Sequence, residues 1–197
     1  RQIEELEKLA QKFVGIFKQI AAYDRVMIYK FDQDFHGQVI AEAKDEELES
    51  FLGLRYPATD IPKMARELFL LNRSRIISDI ELDNHWLAFN PQLKPPIAHL
   101  DLTHAQLRAT SPIHIEYLRN MGVRATFSLA IVINGALWGL VACHSYSPNF
   151  INHRTRKTAE LIADSLAQRI AEITNLTYRK KSKSYFEKLD KFLSGVS

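Results

Sequence analysis

Cys143 and His144 are neighbours in the sequence, and at first sight they could ligate one metal ion. Adjacent residues on a strand point to opposite faces, so they cannot chelate together, and no other His or Cys pair has zinc spacing. Asp45-Glu46-Glu47 is a paired-carboxylate run, read most simply as a solvated turn. No G-x-G-x-x-G, P-loop or G-x-S-x-G stretch occurs, so nothing in the sequence argues for catalysis. What remains are residues suited to holding a ligand. Arg75 and Arg108 carry planar forks that match a carboxylate, although by default either forms a surface salt bridge. Thr126 and Ser128 alternate on one strand face beside apolar neighbours, where hydroxyls need partners; a half-exposed strand fits them equally well. His114, near a helix start, is structural or titrates near neutral pH. Tyr29, Tyr56, Phe69 and Tyr117 form an aromatic set, which is usually core.

These residues are spread over 197 positions, enough for one domain with a buried core. Lys plus Arg is 26 and Asp plus Glu is 23, a net charge of +3, too balanced to argue for nucleic acid or an anionic membrane. No apolar run approaches a membrane span. Cys143 is the single cysteine, which excludes an intrachain disulfide and makes a cytoplasmic location the expectation.

Apolar residues at helical spacing from Ile3 to Ile20 predict an N-terminal helix. Arg25–Phe31 reads as a strand and Gly37–Ala43 as its partner. Asp60-Ile61-Pro62 predicts an Asp-capped helix to about Leu71. Arg75–Ile80 reads as a short strand, residues 81–107 as a long irregular segment, and Ser111-Pro112 as the start of a helix to Asn120. Ala125–Ile133 and Ala136–Ser145 form a hairpin around Asn134-Gly135. A long helix follows, with an apolar stripe through Leu161, Leu166 and Ile173. Arg179-Lys180-Lys181-Ser182-Lys183 reads as a basic solvated stretch leading into another short helix. No βαβ unit repeats, so the expected fold is α+β, an antiparallel sheet flanked by helices. The simplest division is an N-terminal helix over 1–22, a core over 23–150, and a linker helix and tail over 151–197.

Four stretches together resemble the phytochrome family. They are Tyr23-Asp24-Arg25-Val26-Met27-Ile28-Tyr29-Lys30-Phe31, Arg55-Tyr56-Pro57-Ala58-Thr59-Asp60-Ile61-Pro62, Leu107-Arg108-Ala109-Thr110-Ser111-Pro112-Ile113-His114, and Leu137-Trp138-Gly139-Leu140-Val141-Ala142-Cys143-His144. They occur in the family's order across residues 22–150. The resemblance implies a GAF domain that binds a linear tetrapyrrole (bilin) and switches when light isomerises the bond to its last ring. It assigns Arg75, Arg108, Thr126 and Ser128 to the propionates, and sets the Asp60 carbonyl and His114 beside the central rings. It puts His144 at the terminal ring's carbonyl, and Tyr29, Tyr56, Phe69 and Tyr117 around that ring. Ile61, Pro62, Ser111 and Ile113 complete the implied contact set. At Phe69 many bacterial members carry Tyr.

Ile113 is the main departure: plant and cyanobacterial members carry the bilin-linking cysteine there. Biliverdin-binding bacterial members attach the pigment far upstream, before the helix at which this sequence begins. The expectation is therefore biliverdin, or a related bilin, bound without a covalent bond. A homodimer through the terminal helices is expected, with PHY and output domains, such as a histidine kinase, elsewhere in the full-length protein. The PHY domain is expected to steady the light-formed state through Asp60, so this chain alone should hold its photoproduct poorly. The rival readings are a bilin-free GAF module sensing another small molecule, such as a cyclic nucleotide, and a dimerisation module. One geometric condition follows. With Ile133 opposite Ala136, an unbroken ladder would put Cys143, not His144, on the Thr126 and Ser128 face, so a longer loop or a bulge must shift the parity.

Overall fold

The computed structural model describes residues 2–82, 92, 100–106 and 108–194. The chain runs α1 (Gln2–Ala21), β1 (Arg25–Phe31), β2 (Gly37–Lys44), β3 (Arg55–Tyr56), α2 (Lys63–Leu71), β4 (Ser74–Ile77), α3 (Pro112–Asn120), β5 (Ala125–Ile133), β6 (Ala136–Ser145) and α4 (His153–Ser194). The strands form one sheet in the order β3-β2-β1-β6-β5-β4. Every pairing is antiparallel, as the α+β expectation required.

Strand alternation gives the sheet two apolar faces. One face, with Val26, Ile28, Phe127, Leu129, Ile131, Val141 and Cys143, packs under α1 and α4. These two helices supply Ala10, Val14, Phe17, Leu166 and Ile170, all buried. Glu4 and Glu5 in the first turn of α1 and Lys18 in its last complement the helix dipole. The second face carries Met27, Tyr29, Val39, Ala130 and Leu140, and α2 and α3 lie over it. Here the cover is thin. No residue of α2 is buried, and in α3 only Leu118 is.

Two irregularities in the ladders decide which side chains reach that second face. Between Ile131 and Val132 the β5–β6 register shifts, leaving Trp138 as an extra residue. Ile133 still pairs Ala136 across a two-residue turn, with Asn134 and Gly135 at φ of 51° and 78°, so the loop itself is the simple one. The bulge therefore does the work of shifting parity, and Thr126 pairs His144 while Phe127 pairs Cys143. A similar shift between Ile28 and Tyr29 makes Ile40 the extra residue on β2.

Three local expectations are corrected. Asp60 does not cap α2: the capping position is Pro62, in extended conformation and without a side-chain cap bond. Asp60 sits instead in a tight turn, its N–H donating to the Pro57 carbonyl at 3.1 Å, because the extended conformation of Pro62 delays the first helical turn. The fourth strand ends at Ile77 rather than 80. The basic tail does not interrupt the last helix, which runs for 42 residues; its lysines are themselves good helix formers. Most of the irregular segment expected at 81–107 lies outside the described residues.

Candidate functional site: a cleft between the sheet and two helices

The thinly covered face forms a cleft of about 680 Å3, counted to its open mouth. Its floor is the sheet. Alternation on β1 delivers Met27 and Tyr29, and on β6 Leu140, Ala142 and His144, while β5 adds Thr126 and Ser128. One wall is Phe51, Tyr56, Asp60 and Ile61, and the other is α3 and its C-terminal cap, with His114, Tyr117, Leu118 and Met121. The cleft is thus largely apolar, with a few polar groups at fixed points, which is the usual make-up of a small-molecule site.

Tyr29 is held by close packing. Its ring lies on Gly37, where an added Cβ would come within 1.7 Å of Cζ. It also meets Phe31 edge-on at 5.3 Å and Tyr56 at 5.9 Å. Its hydroxyl is pushed up to about 12, first by burial and then by Asp60. Tyr117 reaches about 12 for the same reasons, and its ring stacks on His114 at 6.2 Å. Both phenols are protonated donors at neutral pH.

Among the groups that line the cleft, His144 is the most perturbed. Its Nδ1 is buried and has no hydrogen-bond partner among the described residues. Burial, then the charge of Arg25 and then His114, bring its pKa down to about 4. At neutral pH it is a neutral imidazole presenting an unused polar atom to a low-dielectric floor, a costly arrangement unless something bonds to it. His114 is also lowered, by desolvation and then by Arg75. Arg25, opposite His144 on β1, is buried and ion-paired with the buried Glu42. Its guanidinium lies 3.7 Å from the Phe51 ring centre. Glu42 also accepts from the Ser50 hydroxyl at 2.6 Å and from the Phe51 N–H at 3.1 Å. That network pins Phe51 into the cleft wall.

Nine of the expected site residues line the cleft: Tyr29, Tyr56, Asp60, Ile61, His114, Tyr117, Thr126, Ser128 and His144. Six do not. Arg75 pairs Ser128 across β4 and β5, so it flanks the floor on the same face. Its fork donates to the Gln106 carbonyl at 3.1 Å, the Arg108 carbonyl at 2.7 Å and the Thr110 hydroxyl at 2.9 Å. Arg108 donates to the Ala105 carbonyl at 3.0 Å. Neither arginine forms an ion pair among the described residues. Arg75 is lowered to about 10 by burial and then by Arg108, and remains a cation at neutral pH. Phe69 packs against the apolar cluster beneath the cleft. Pro62 and Ser111 are the exposed residues at the capping positions of α2 and α3. Ile113 is 80% exposed. The sequence reading missed Met27, Val39, Phe51, Leu118, Met121, Leu140 and Ala142. Counting by twos from Tyr29 and His144 would have found Met27, Ala142 and Leu140. Phe51 gives no such signal, because long-range contacts with Glu42 and Arg25 bring it in.

Among the described residues no His, Cys, Asp and Glu cluster could hold a metal, and no helix is long and apolar enough to cross a membrane.

A sheet carrying two helices on one face and a helix-walled cleft on the other is the architecture of a GAF domain. The GAF-domain family model matches residues 5–170, and the chain belongs to that family. Its relatives within it are phytochromes. A bacteriophytochrome of Xanthomonas campestris pv. campestris is 46% identical over 178 residues, 88% of this chain and 28% of that protein. Cyanobacterial phytochrome B of Nostoc sp. is 43% identical over 157 residues, 79% of this chain and 20% of that protein. The solved chromophore-binding domain of an unusual R. palustris bacteriophytochrome superposes with a TM-score of 0.80 at 35% identity, over 89% of this chain and 60% of that one. The photosensory core module of a Stigmatella aurantiaca phytochrome gives 0.81 at 37% identity, over 91% and 36%. The chain spans about a quarter of the length of the curated relatives it matches.

Proposed function

We propose that the cleft binds a linear tetrapyrrole, biliverdin or a close relative, and that this GAF domain is the red-light-sensing module of a phytochrome. The observation that carries the reading is the pairing of an apolar cleft with polar groups that need partners. Among the described residues the buried Nδ1 of His144 has none, Arg75 flanks the floor, and neither Arg75 nor the nearby Arg108 has a carboxylate partner. A bilin's propionates answer the two cations, with Thr126 and Ser128 close to Arg75 on the same face. Its pyrrole N–H groups suit a carbonyl such as that of Asp60, and its ring carbonyl suits a neutral His144 donating from its protonated ring nitrogen. When bound, such a pigment supplies red absorption and light-driven isomerisation of its terminal double bond. The protein's part is to exclude water, hold the rings between Tyr29, Tyr56 and Tyr117, and keep the histidines in fixed protonation states. Its role is sensory rather than catalytic.

The attachment is non-covalent in this reading. Ile113 cannot form a thioether, and Cys143 is fully buried on the opposite face, its thiol pushed up by burial and far from a reactive thiolate. A homodimer and PHY and output domains in the full-length protein complete the proposal. Biliverdin titration tests it. A red absorption band should grow in and saturate near one pigment per chain, and Arg75→Ala with Arg108→Ala should weaken binding by about tenfold or more. A chain that takes up no biliverdin would refute the reading and favour a GAF domain for another ligand.

A further inference from the structure

Asp60 and Ile61 form a cleft wall that belongs to no helix or strand, so something must hold it in place. The holder is the tip of the β1–β2 hairpin, residues that do not line the cleft. Asp32 builds the tip: its Oδ1 accepts from the N–H groups of Asp34 at 3.0 Å and His36 at 2.9 Å. Its own N–H donates to the His36 carbonyl at 2.8 Å. This folding puts Phe35 at φ 64°, a left-handed conformation that disfavours a bulky side chain. Burial does not compensate, since Phe35 is 45% exposed. Its direction does. The Phe35 ring lies under the Arg66 guanidinium, 4.3 Å from Cζ to the ring centre. The same turn aims His36 Nδ1 at the Ala58 N–H, 3.2 Å away. Arg66, on α2, then donates Nη1 to the Ile61 carbonyl at 2.5 Å and to the Ala58 carbonyl at 3.3 Å. Asp60 is bracketed: the backbone is gripped two residues before it and one residue after it.

We infer that Phe35, His36 and Arg66 form a latch that positions the Asp60–Ile61 wall and so sets how tightly the cleft holds its ligand. They act through the backbone and are positioning residues. The bond to Ala58 needs the Nδ1 lone pair, hence the tautomer with its proton on Nε2. The inference rests on the bilin reading only for its ligand; the latch itself has a readout without one.

Two independent substitutions test it. His36→Leu removes the acceptor, and Arg66→Met removes both carbonyl contacts and the stacking. His36→Asn is the rescue, because its side-chain carbonyl can take the place of Nδ1. In the pigment-free chain, amide exchange at Ala58 should be slow, should speed up at least about fivefold in His36→Leu, and should return in His36→Asn. The biliverdin dissociation constant should rise about fivefold in His36→Leu and Arg66→Met and recover in His36→Asn, with the unfolding midpoint little moved. Exchange at Ala58 indifferent to His36→Leu, or biliverdin bound by both variants as by the unaltered chain, would overturn the latch. If the unaltered chain binds no biliverdin, the bilin reading fails while Ala58 exchange still decides the latch.

Discussion

At the scale of single residues, His144 gives the sharpest consequence. Its folded-state pKa of about 4 lies below the unfolded value of about 6.5. Between those values the unfolded chain binds a proton that the folded chain refuses, so stability rises with pH across the window. The contribution is full above about pH 6.5 and is lost as pH falls towards 4, an effect on the order of 1–3 kcal/mol. His114, lowered as well, acts in the same direction. Urea unfolding at pH 7.5 and pH 5 should show the loss, and His144→Gln should shrink it. An unchanged slope in that variant would mean that the acid sensitivity comes from elsewhere. Cys143 gives a second prediction at this scale. After incubation with biliverdin, zinc-induced fluorescence on a denaturing gel should show no band for this chain. A band lost in Cys143→Ala would mean that the core opens to the pigment.

Among the elements, the β5–β6 hairpin carries most of the site's logic. Gly139 sits beside the bulge, opposite Ile131 on one side and Lys30 on the other. A Cβ there would lie 2.4 Å from the Tyr29 carbonyl oxygen, which is backbone and cannot step aside. Gly139→Ala should therefore destabilise the domain by about 1–3 kcal/mol, measured by chemical unfolding, and disturb Tyr29 in the cleft. No loss of stability would mean that β1 and β6 can part without cost. The same hairpin shows how far the sequence could be read. Largely apolar runs from Ala125 to Ile133 and Ala136 to Ser145, split by Asn134-Gly135, mark both strands at their true bounds. The polar residues Thr126, Ser128 and His144 required a parity shift, and Trp138 supplies it. Nothing local marks Trp138 as the extra residue; its place follows from packing across three strands. Asp60 differs from its expected capping role for a related reason. Asp with Pro two residues on is a helix-start pattern, but the extended Pro62 starts α2 later and leaves Asp60 in a turn at the cleft. Phe51 and the Arg25–Glu42 pair were illegible because they are joined by long-range bonds between irregular and regular segments.

Taken whole, the molecule has one well-packed sheet face and two terminal helices that do not bury all of their apolar surface. Ile16 and Ile20 on α1 are 50% and 49% exposed, and Leu161 and Leu176 on α4 are 68% and 52% exposed. Exposed apolar residues repeated along neighbouring helices suit a helical interface with a second copy. The prediction is a dimer in sedimentation at micromolar concentration, dissociated by Leu161→Glu with Ile16→Glu. A clean monomer in the unaltered chain would leave these helices as cover for the sheet alone. If the cleft makes this domain a light sensor, the light-minus-dark difference spectrum of the biliverdin-loaded chain must show it. Red illumination should bleach part of the red band, and the band should recover in the dark. A saturated, red-absorbing complex whose spectrum does not change under red light would contradict light sensing by this domain, as would a chain that forms no such band.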